Sequence, residues 1–163
     1  MGFCLFEDAD FPGSFVALNS NHIEDIEEAP NTQEIPVCTV HFTTPLAHNG
    51  RDINLRIVGQ TDEIWALLKQ ASKIGLGKAK LHLMNKLSAR PIPLLINQPD
   101  RIMLVRELQP EEFMNADSSL ITASRLFFQD GKNRYISERP GTFVSLTNAG
   151  RKTPILKTES ASV

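Results

Sequence analysis

The chain contains one pattern twice, and this internal repeat constrains its fold more than any other feature of the sequence. Residues 15–32 are matched in the second half of the chain by residues 94–107. When one inserted residue is allowed for, four positions recur: Asn19, Ile23, Ile26 and Glu28 correspond to Asn97, Ile102, Val105 and Glu107. A long, degenerate repeat is typical of a duplicated supersecondary unit whose copies bury their apolar faces against each other.

Each copy is followed by two runs of alternating polarity with a turn between them. In the first copy these are residues 38–42 and 53–58, separated by Asn49-Gly50. In the second copy they are residues 124–128 and 133–137, separated by Asp130-Gly131. Strand side chains alternate between faces with period two, and Asn-Gly and Asp-Gly are favoured in tight hairpin turns. The sequence therefore predicts one β-hairpin in each copy.

A helix is predicted after the first hairpin, over residues 61–75. Thr61 is the expected N-cap, and acids follow it in the first turn, where the helix dipole favours them. An amphipathic stripe is formed by Ile64, Leu67, Leu68, Ala71 and Ile74. The second copy offers only residues 141–149 at this place, so we expect its helix to be shortened or lost.

These patterns predict a mostly β, α+β fold made of tandem duplicated small sheet units and one main amphipathic helix. The expected divisions are an N-terminal segment (1–14), a first repeat (15–76), a basic connector (77–91), a second repeat (92–150) and a flexible tail (151–163). The N-terminal segment alternates too poorly to predict a strand. Residues 78–90 are interpreted as a second helix, with a strand through Leu81 and Leu83 as the alternative.

The charge distribution is uneven along the chain. Residues 1–50 contain eight acids and no Lys or Arg, while residues 51–163 contain all 17 bases and a net charge of +6. We expect the acidic part to lie beside the basic part within one chain or a homodimer; a polarised docking surface is the alternative. Two cysteines, no secretory leader and no long apolar run predict a cytoplasmic protein without a membrane segment.

No constellation of residues predicts catalysis. Cys38, His41 and His48 have a spacing that suggests a metal site, but Cys38 and His41 would point to opposite faces of a strand. Cys38 alternates with apolar residues, as a buried inert thiol would, and Cys4 has no basic neighbour. No Gly-x-Ser-x-Gly or phosphate-loop pattern is present. We therefore predict a protein that is not an enzyme and uses neither a cofactor nor a metal.

Binding is the remaining class of function, and a protein partner is the first choice. A two-residue turn at Asp130-Gly131 pairs Leu126 with Tyr135 and exposes a face that is half apolar and half cationic. The predicted partner-binding residues are Trp65, Arg125, Phe127 and Arg134. A nucleic-acid-binding regulator is the first alternative, through Lys69, Lys73, Lys78, Lys80, Lys86 and Arg90. A small-ligand site between the two repeats is the second alternative.

The first copy resembles the small FlbD-type proteins of bacterial flagellar operons. The resemblance rests on Leu18-Asn19, residues 23–27, residues 29–32, Asn49-Gly50-Arg51 and residues 61–64, and a fainter set recurs in the second copy. It implies a bacterial or phage protein with a non-enzymatic regulatory or accessory role. No catalytic residue is implied by it.

Overall fold

The computed structural model of the chain describes residues 2–29, 35–48, 51–85, 88–108, 124–148 and 155–156. Within these residues the fold is α+β and mostly β, as the sequence predicts. The strands are β1 (Phe3–Glu7), β2 (Phe15–Asn19), β3 (Ile23–Glu28), β4 (Val37–Phe42), β5 (Ala47–His48), β6 (Arg51–Asp52), β7 (Leu55–Val58), β8 (Ala79–Asn85), β9 (Ser88–Ile96), β10 (Ile102–Glu107), β11 (Ser124–Phe128), β12 (Asn133–Ile136) and β13 (Ile155–Leu156). The α-helices are α1 (Thr61–Ala71) and α2 (Pro140–Thr147), and single 3-10 turns span Ser20–His22 and Pro99–Arg101.

The described strands form one large sheet and two small ones. The large sheet has eight strands in the order β13-β1-β2-β10-β11-β12-β8-β9. The second sheet has the order β3-β4-β7, and β5 and β6 form a two-stranded ribbon. All pairings are antiparallel except β1 with β13, which is parallel. Strands of the first half and the second half therefore share one sheet, joined where β2 pairs with β10.

The central strands of the large sheet are buried on both faces. One face packs on a cluster that includes Phe6, Leu18 and Ile64, and the other packs on a cluster that includes Phe3 and Phe143. Burial on both faces selects continuous apolar runs instead of alternation. For this reason residues 1–14 alternate only weakly, and β1 is a strand that the sequence did not predict.

Helix α1 lies where the sequence predicts it and buries the predicted stripe. Ile64, Leu68 and Ala71 are buried, and Leu67 packs against the same cluster. The N-cap expectation is wrong, because the capping position is Gln60, whose side chain makes no capping hydrogen bond. The Thr61 hydroxyl instead donates to Oε1 of Glu28 on β3, at 3.2 Å, and so ties the helix to the three-stranded sheet.

The connector and the tail both contain strands. Residues 79–85 form β8, so the helix interpretation of residues 78–90 is wrong and the strand alternative through Leu81 and Leu83 is correct. Buried and exposed residues alternate over positions 79–82, which is the two-residue period of a strand. In the predicted flexible tail, β13 pairs with β1. The rest of that tail, the Asn49-Gly50 turn and Lys86 lie outside the described residues.

The two halves show the same succession of elements. Strands β1 to β4, then β7 and α1, follow the same order as β8 to β12 and α2, with a 3-10 turn after β2 and after β9. A bulge interrupts β3 between Ile23 and Asp25, and another interrupts β10 between Ile102 and Leu104. Helix α2 is the shortened counterpart of α1, at 8 residues against 11.

Asn19 and Asn97 occupy matching places in this succession but have different surroundings. Asn19 is fully buried, and its amide donates to the backbone oxygens of Asp100 and Ile102 at 3.2 and 3.0 Å. Asn97 is exposed. The difference arises because β2 pairs with β10 within the chain, whereas β9 has no corresponding neighbour among the described strands.

Two ion pairs join the acidic beginning of the chain to later basic residues. Asp8 is fully buried and accepts from Nε of Arg106 at 2.9 Å, and the guanidinium of Arg106 also lies over the Phe11 ring. Asp10 accepts from Nε of Arg56 at 3.0 Å on a more exposed surface. The acidic and basic parts of the chain therefore meet intramolecularly at these two places, as one of the two sequence interpretations expects.

Candidate docking groove beside β9

Strand β9 lies at one end of the large sheet. Among the described strands, β9 pairs only with β8, so its other side carries backbone groups without a neighbouring strand. Leu95 on this strand is 64% exposed and Ile92 is 48% exposed, although both belong to a strand that ends in the buried Ile96. An edge strand with exposed apolar side chains is a template for an added strand.

A groove of about 320 Å³ runs along the end of this edge. One wall is formed by Leu94, Leu95 and Ile96 of β9, followed by Asn97 and Gln98. The opposite wall comes from Arg101 and from the turn between β11 and β12. The groove therefore combines an apolar strand edge with a polar rim.

The polar rim of the groove is mostly cationic. Arg101, Lys132 and Arg134 line it together with a single acid, Asp130, whose Oδ2 lies 3.7 Å from Nζ of Lys132. All four residues are exposed. Because the net charge of these side chains is positive, the groove favours an anionic occupant, most strongly at low ionic strength.

Two prolines restrict how much of the β9 edge a new strand could use. Pro91 and Pro93 have no N–H to donate to a neighbouring strand. Prolines of this kind are one way in which proteins protect a sheet edge from unwanted pairing. The stretch from Leu94 to Ile96 contains none, so this is the part of the edge that remains open to hydrogen bonding.

The predicted partner-binding residues are not brought together by the fold. Phe127 belongs to a buried cluster and Arg125 is only 3% exposed, so neither lies on a surface, and that part of the prediction is wrong. Arg125 donates to the hydroxyl of Tyr135 at 2.9 Å and lies over the Tyr135 ring. Arg134 does reach the groove, and Trp65 lies on α1 with 42% of its surface exposed.

Arg125 and Phe127 do not reach a surface because β11 is buried on both faces, and the turn after β11 places Arg134 on the opposite face from them. The predicted two-residue turn pairs Leu126 with Tyr135, but the structure pairs Leu126 with Arg134. Hydrogen bonds from Phe128 N to the oxygen of Lys132, and from Gly131 N to the oxygen of Phe128, close a longer turn. A one-residue change of register moves every side chain to the opposite face relative to its partner strand.

The predicted nucleic-acid residues are spread over several elements. Lys69 is in α1 and Lys73 follows it, whereas Lys78 precedes β8 and Lys80 is on it. Lys80 pairs with Leu95 across the β8–β9 hairpin, which places it on the same face as the exposed Leu95. Lys86 and the side chain of Arg90 lie outside what the structure describes.

The cysteine thiols and the imidazoles of His22 and His82 make contacts within the fold. Both cysteines are buried, and burial raises the pKa of each thiol, which disfavours the nucleophilic thiolate. His22 contacts the backbone oxygen of Asp100 at 2.6 Å, and Nδ1 of His82 lies 2.9 Å from Glu138. No group of three or more potential metal ligands occurs within the described part of the chain.

A second cavity, of about 490 Å³, lies between the two halves. It is lined by Leu5, Gly13 and Phe15 from the first half and by Glu107 and Arg139 from the second, among others. Its two charged groups already have partners: Glu107 accepts from the Phe15 N–H at 3.0 Å and lies 3.8 Å from Arg139. The position agrees with the small-ligand alternative, but its chemistry selects no particular ligand.

Leu95, Arg101 and Lys132 are groove residues that the sequence analysis did not single out. The two cations come from separate turns and converge only through the fold. The repeat is the sequence signal that could have identified Leu95, because Leu94–Ile96 align with Val16–Leu18.

No family model, curated protein or solved structure matches this chain. None of the helices in the described ranges is both long enough and apolar enough to cross a membrane.

Proposed function

We propose that this protein is a non-enzymatic accessory or regulatory protein that binds a protein partner along the open edge of β9. The partner contributes an extended acidic segment, which adds as a strand beside Leu94–Ile96. The observation that carries the proposal is the 64% exposure of Leu95 on an edge strand next to a cationic rim. Strand addition uses backbone hydrogen bonds for affinity and side-chain contacts for selectivity.

Each part of the groove has a role in this proposal. The edge supplies backbone donors and acceptors, and Leu95 supplies apolar area that docking would remove from water. Arg101, Lys132 and Arg134 attract a segment rich in Glu or Asp and orient it. The proposed location is cytoplasmic, and the FlbD-type resemblance supports a regulatory or accessory role.

A peptide titration tests this proposal. A fluorescent, capped peptide in which valine alternates with glutamate is expected to bind the full chain, and the same design with lysine in place of glutamate is not. L95E should weaken binding of the acidic peptide at least tenfold, because it places a carboxylate in the groove. L146E is the matched control, since Leu146 is also an exposed leucine, at 43%, but lies on α2.

Two results of the titration would contradict the proposal. Equal affinity for the acidic and basic peptides would show that the cationic rim does not select the acidic peptide. If L95E and L146E weaken binding of the acidic peptide equally, the peptide does not bind at the β9 edge. Raising the salt concentration should weaken binding of the acidic peptide, because exposed charges are screened.

Nucleic-acid binding is the second candidate function, and one observation favours it. Lys80 shares the outer face of the β8–β9 hairpin with Leu95, close in register to the cationic groove. A phosphate backbone would use these cations but not the exposed leucine or the free backbone edge, so a peptide accounts for more of the surface. A single-stranded oligonucleotide that binds with a steep salt dependence, unaffected by L95E, would favour this alternative.

A further inference from the structure

Among the described strands, two that have an open edge, β9 and β3, correspond in the repeat to two strands that pair with each other in the interior. In the succession of elements β9 takes the place of β2, and β3 takes the place of β10. Within the chain, β2 pairs with β10 through Val16–Leu18 and Leu104–Arg106. We propose that the acidic strand docked by β9 is β3 of a second copy of this chain, an inference that rests on the proposed function.

The repeat specifies the register of the proposed pairing. Ala17 lies opposite Val105 in the interior pair. In the repeat alignment Ala17 corresponds to Leu95, and Val105 corresponds to Ile26. Leu95 is therefore expected opposite Ile26, so that the most exposed leucine of the β9 edge meets the half-buried apolar residue of β3.

Strand registers elsewhere in the two halves support this correspondence. Cys38 pairs with Ile57 in the first half, and the corresponding Ser124 pairs with Ile136 in the second. The bulges in β3 and β10 also fall at matching positions. The alignment that places Leu95 opposite Ile26 therefore follows the hydrogen-bonded ladders as well as the sequence.

The charges of the two edges are complementary. Strand β3 reads Ile-Glu-Asp-Ile-Glu-Glu, and its four acids are exposed. Arg101, Lys132 and Arg134 line the groove beside β9. Opposite charges on two surfaces steer their encounter and select the register in which they meet.

The edges themselves are compatible with this contact. Strand β3 pairs only with β4 among the described strands, so its outer side is open in the same way as that of β9. Pro93 corresponds to Phe15 and lies just outside the three-residue stretch that the interior pair uses. Each chain offers one edge of each kind, so two copies can satisfy both edges reciprocally, as a closed dimer requires.

Disulfide cross-linking between variants that each carry one added cysteine tests the inference. Ile26→Cys and Leu95→Cys chains are mixed in equal amounts, with a mass tag on one of them, under mild oxidation. The native Cys4 and Cys38 are buried and do not compete. We expect the Ile26→Cys chain to cross-link to Leu95→Cys at least tenfold faster than to the matched control Leu146→Cys.

The outcomes separate this inference from the proposed function. Equal cross-linking to Leu95→Cys and Leu146→Cys overturns pairing with a second copy. If binding of the acidic peptide nevertheless depends on Leu95, the β9 edge docks a different protein and the proposed function stands. If neither selective cross-linking nor Leu95-dependent peptide binding occurs, both proposals fall. An I26C/L95C double variant that forms only an intrachain disulfide at high dilution would also contradict pairing with a second copy.

Discussion

Asn19 shows how one side chain can join the two halves of this molecule. It ends β2, accepts a hydrogen bond from the Asn21 N–H at 3.1 Å, and donates to the backbone oxygens of Asp100 in the 3-10 turn and of Ile102 at the start of β10. A buried amide with all of these partners fixes the approach of the two strands, because leaving them unpaired would carry a desolvation cost. The repeat predicts that this position matters, but it does not predict that Asn97 would be exposed.

The contrast between these two asparagines gives a first prediction. Asn19→Ala removes three hydrogen bonds and should lower the free energy of unfolding by about 2–4 kcal/mol. Asn97→Ala, at the corresponding exposed position, should change it by less than about 0.5 kcal/mol. Urea unfolding of both variants measures the difference, and equal effects would contradict the structural account of Asn19.

A second prediction concerns the ion pair between Asp8 and Arg106. Arg106→Met leaves the buried Asp8 carboxylate without its charged partner and should cost about 3–5 kcal/mol of stability. Arg56→Met breaks the more exposed pair with Asp10 and should cost less than about 1 kcal/mol. Chemical denaturation at neutral pH compares the two, and a larger loss for the Arg56 variant would contradict the assigned burial.

At the scale of elements, the sequence predicts best where one period is unambiguous. Helix α1 was predicted because its apolar residues recur at helical spacing, and β4 because its apolar residues alternate. Strand β1 was missed because both of its faces are buried, which removes the alternation. Strand β8 was ambiguous because Lys80 and His82 alternate with buried residues in a segment that also has helix-forming residues.

A third prediction tests the contact of α1 with β13. Gly59 has φ +144°, and a Cβ there would come within 2.5 Å of Leu156 and 3.2 Å of Ile64. Gly59→Ala should therefore lower stability by about 1–3 kcal/mol through backbone strain and displaced packing. Gly75→Ala is the control, because an added Cβ there meets nothing within 4 Å. Thermal unfolding that ranks Gly75→Ala as the more damaging change would contradict this packing.

The candidate groove was predictable from the sequence only in part. Arg134 was identified, but Arg125 and Phe127 were wrongly placed on a surface because both faces of β11 are buried. The turn after β11 is also longer than Asp130-Gly131 alone suggests, which puts Arg134 on the opposite face from them. Turn length sets hairpin register, and a single sequence does not determine it. The exposure of Leu95 depends on which strand lies beside β9, and this is a property of the assembled sheet.

At the scale of the whole molecule, the two halves share one large sheet yet leave the edges of β9 and β3 open among the described strands. The interior pairing of β2 with β10 buries Asn19, and no equivalent pairing among the described strands covers Asn97. This asymmetry is the physical basis of the proposed function, since it leaves an apolar, cation-lined edge at β9 and an acidic edge at β3.

A fourth prediction concerns the integrity of the whole core. Cys4 and Cys38 are fully buried, and desolvation raises the pKa of both thiols. Alkylation of the folded protein should therefore proceed only through unfolding. The free energy of unfolding should also fall as pH rises above about 8.5, where thiols ionise in the unfolded chain but not in the folded one. Rapid stoichiometric labelling of the native protein at pH 8 would contradict this burial.

Amide hydrogen exchange of the full chain tests the docking edge most directly. Exchange is measured with and without a saturating concentration of the acidic peptide. The account predicts slower exchange for amides within Leu94–Ile96 of β9, because their open side gains a hydrogen-bonded strand, and unchanged exchange in α2. Peptide-dependent protection that leaves β9 unchanged and appears instead on α1 around Trp65 would contradict it.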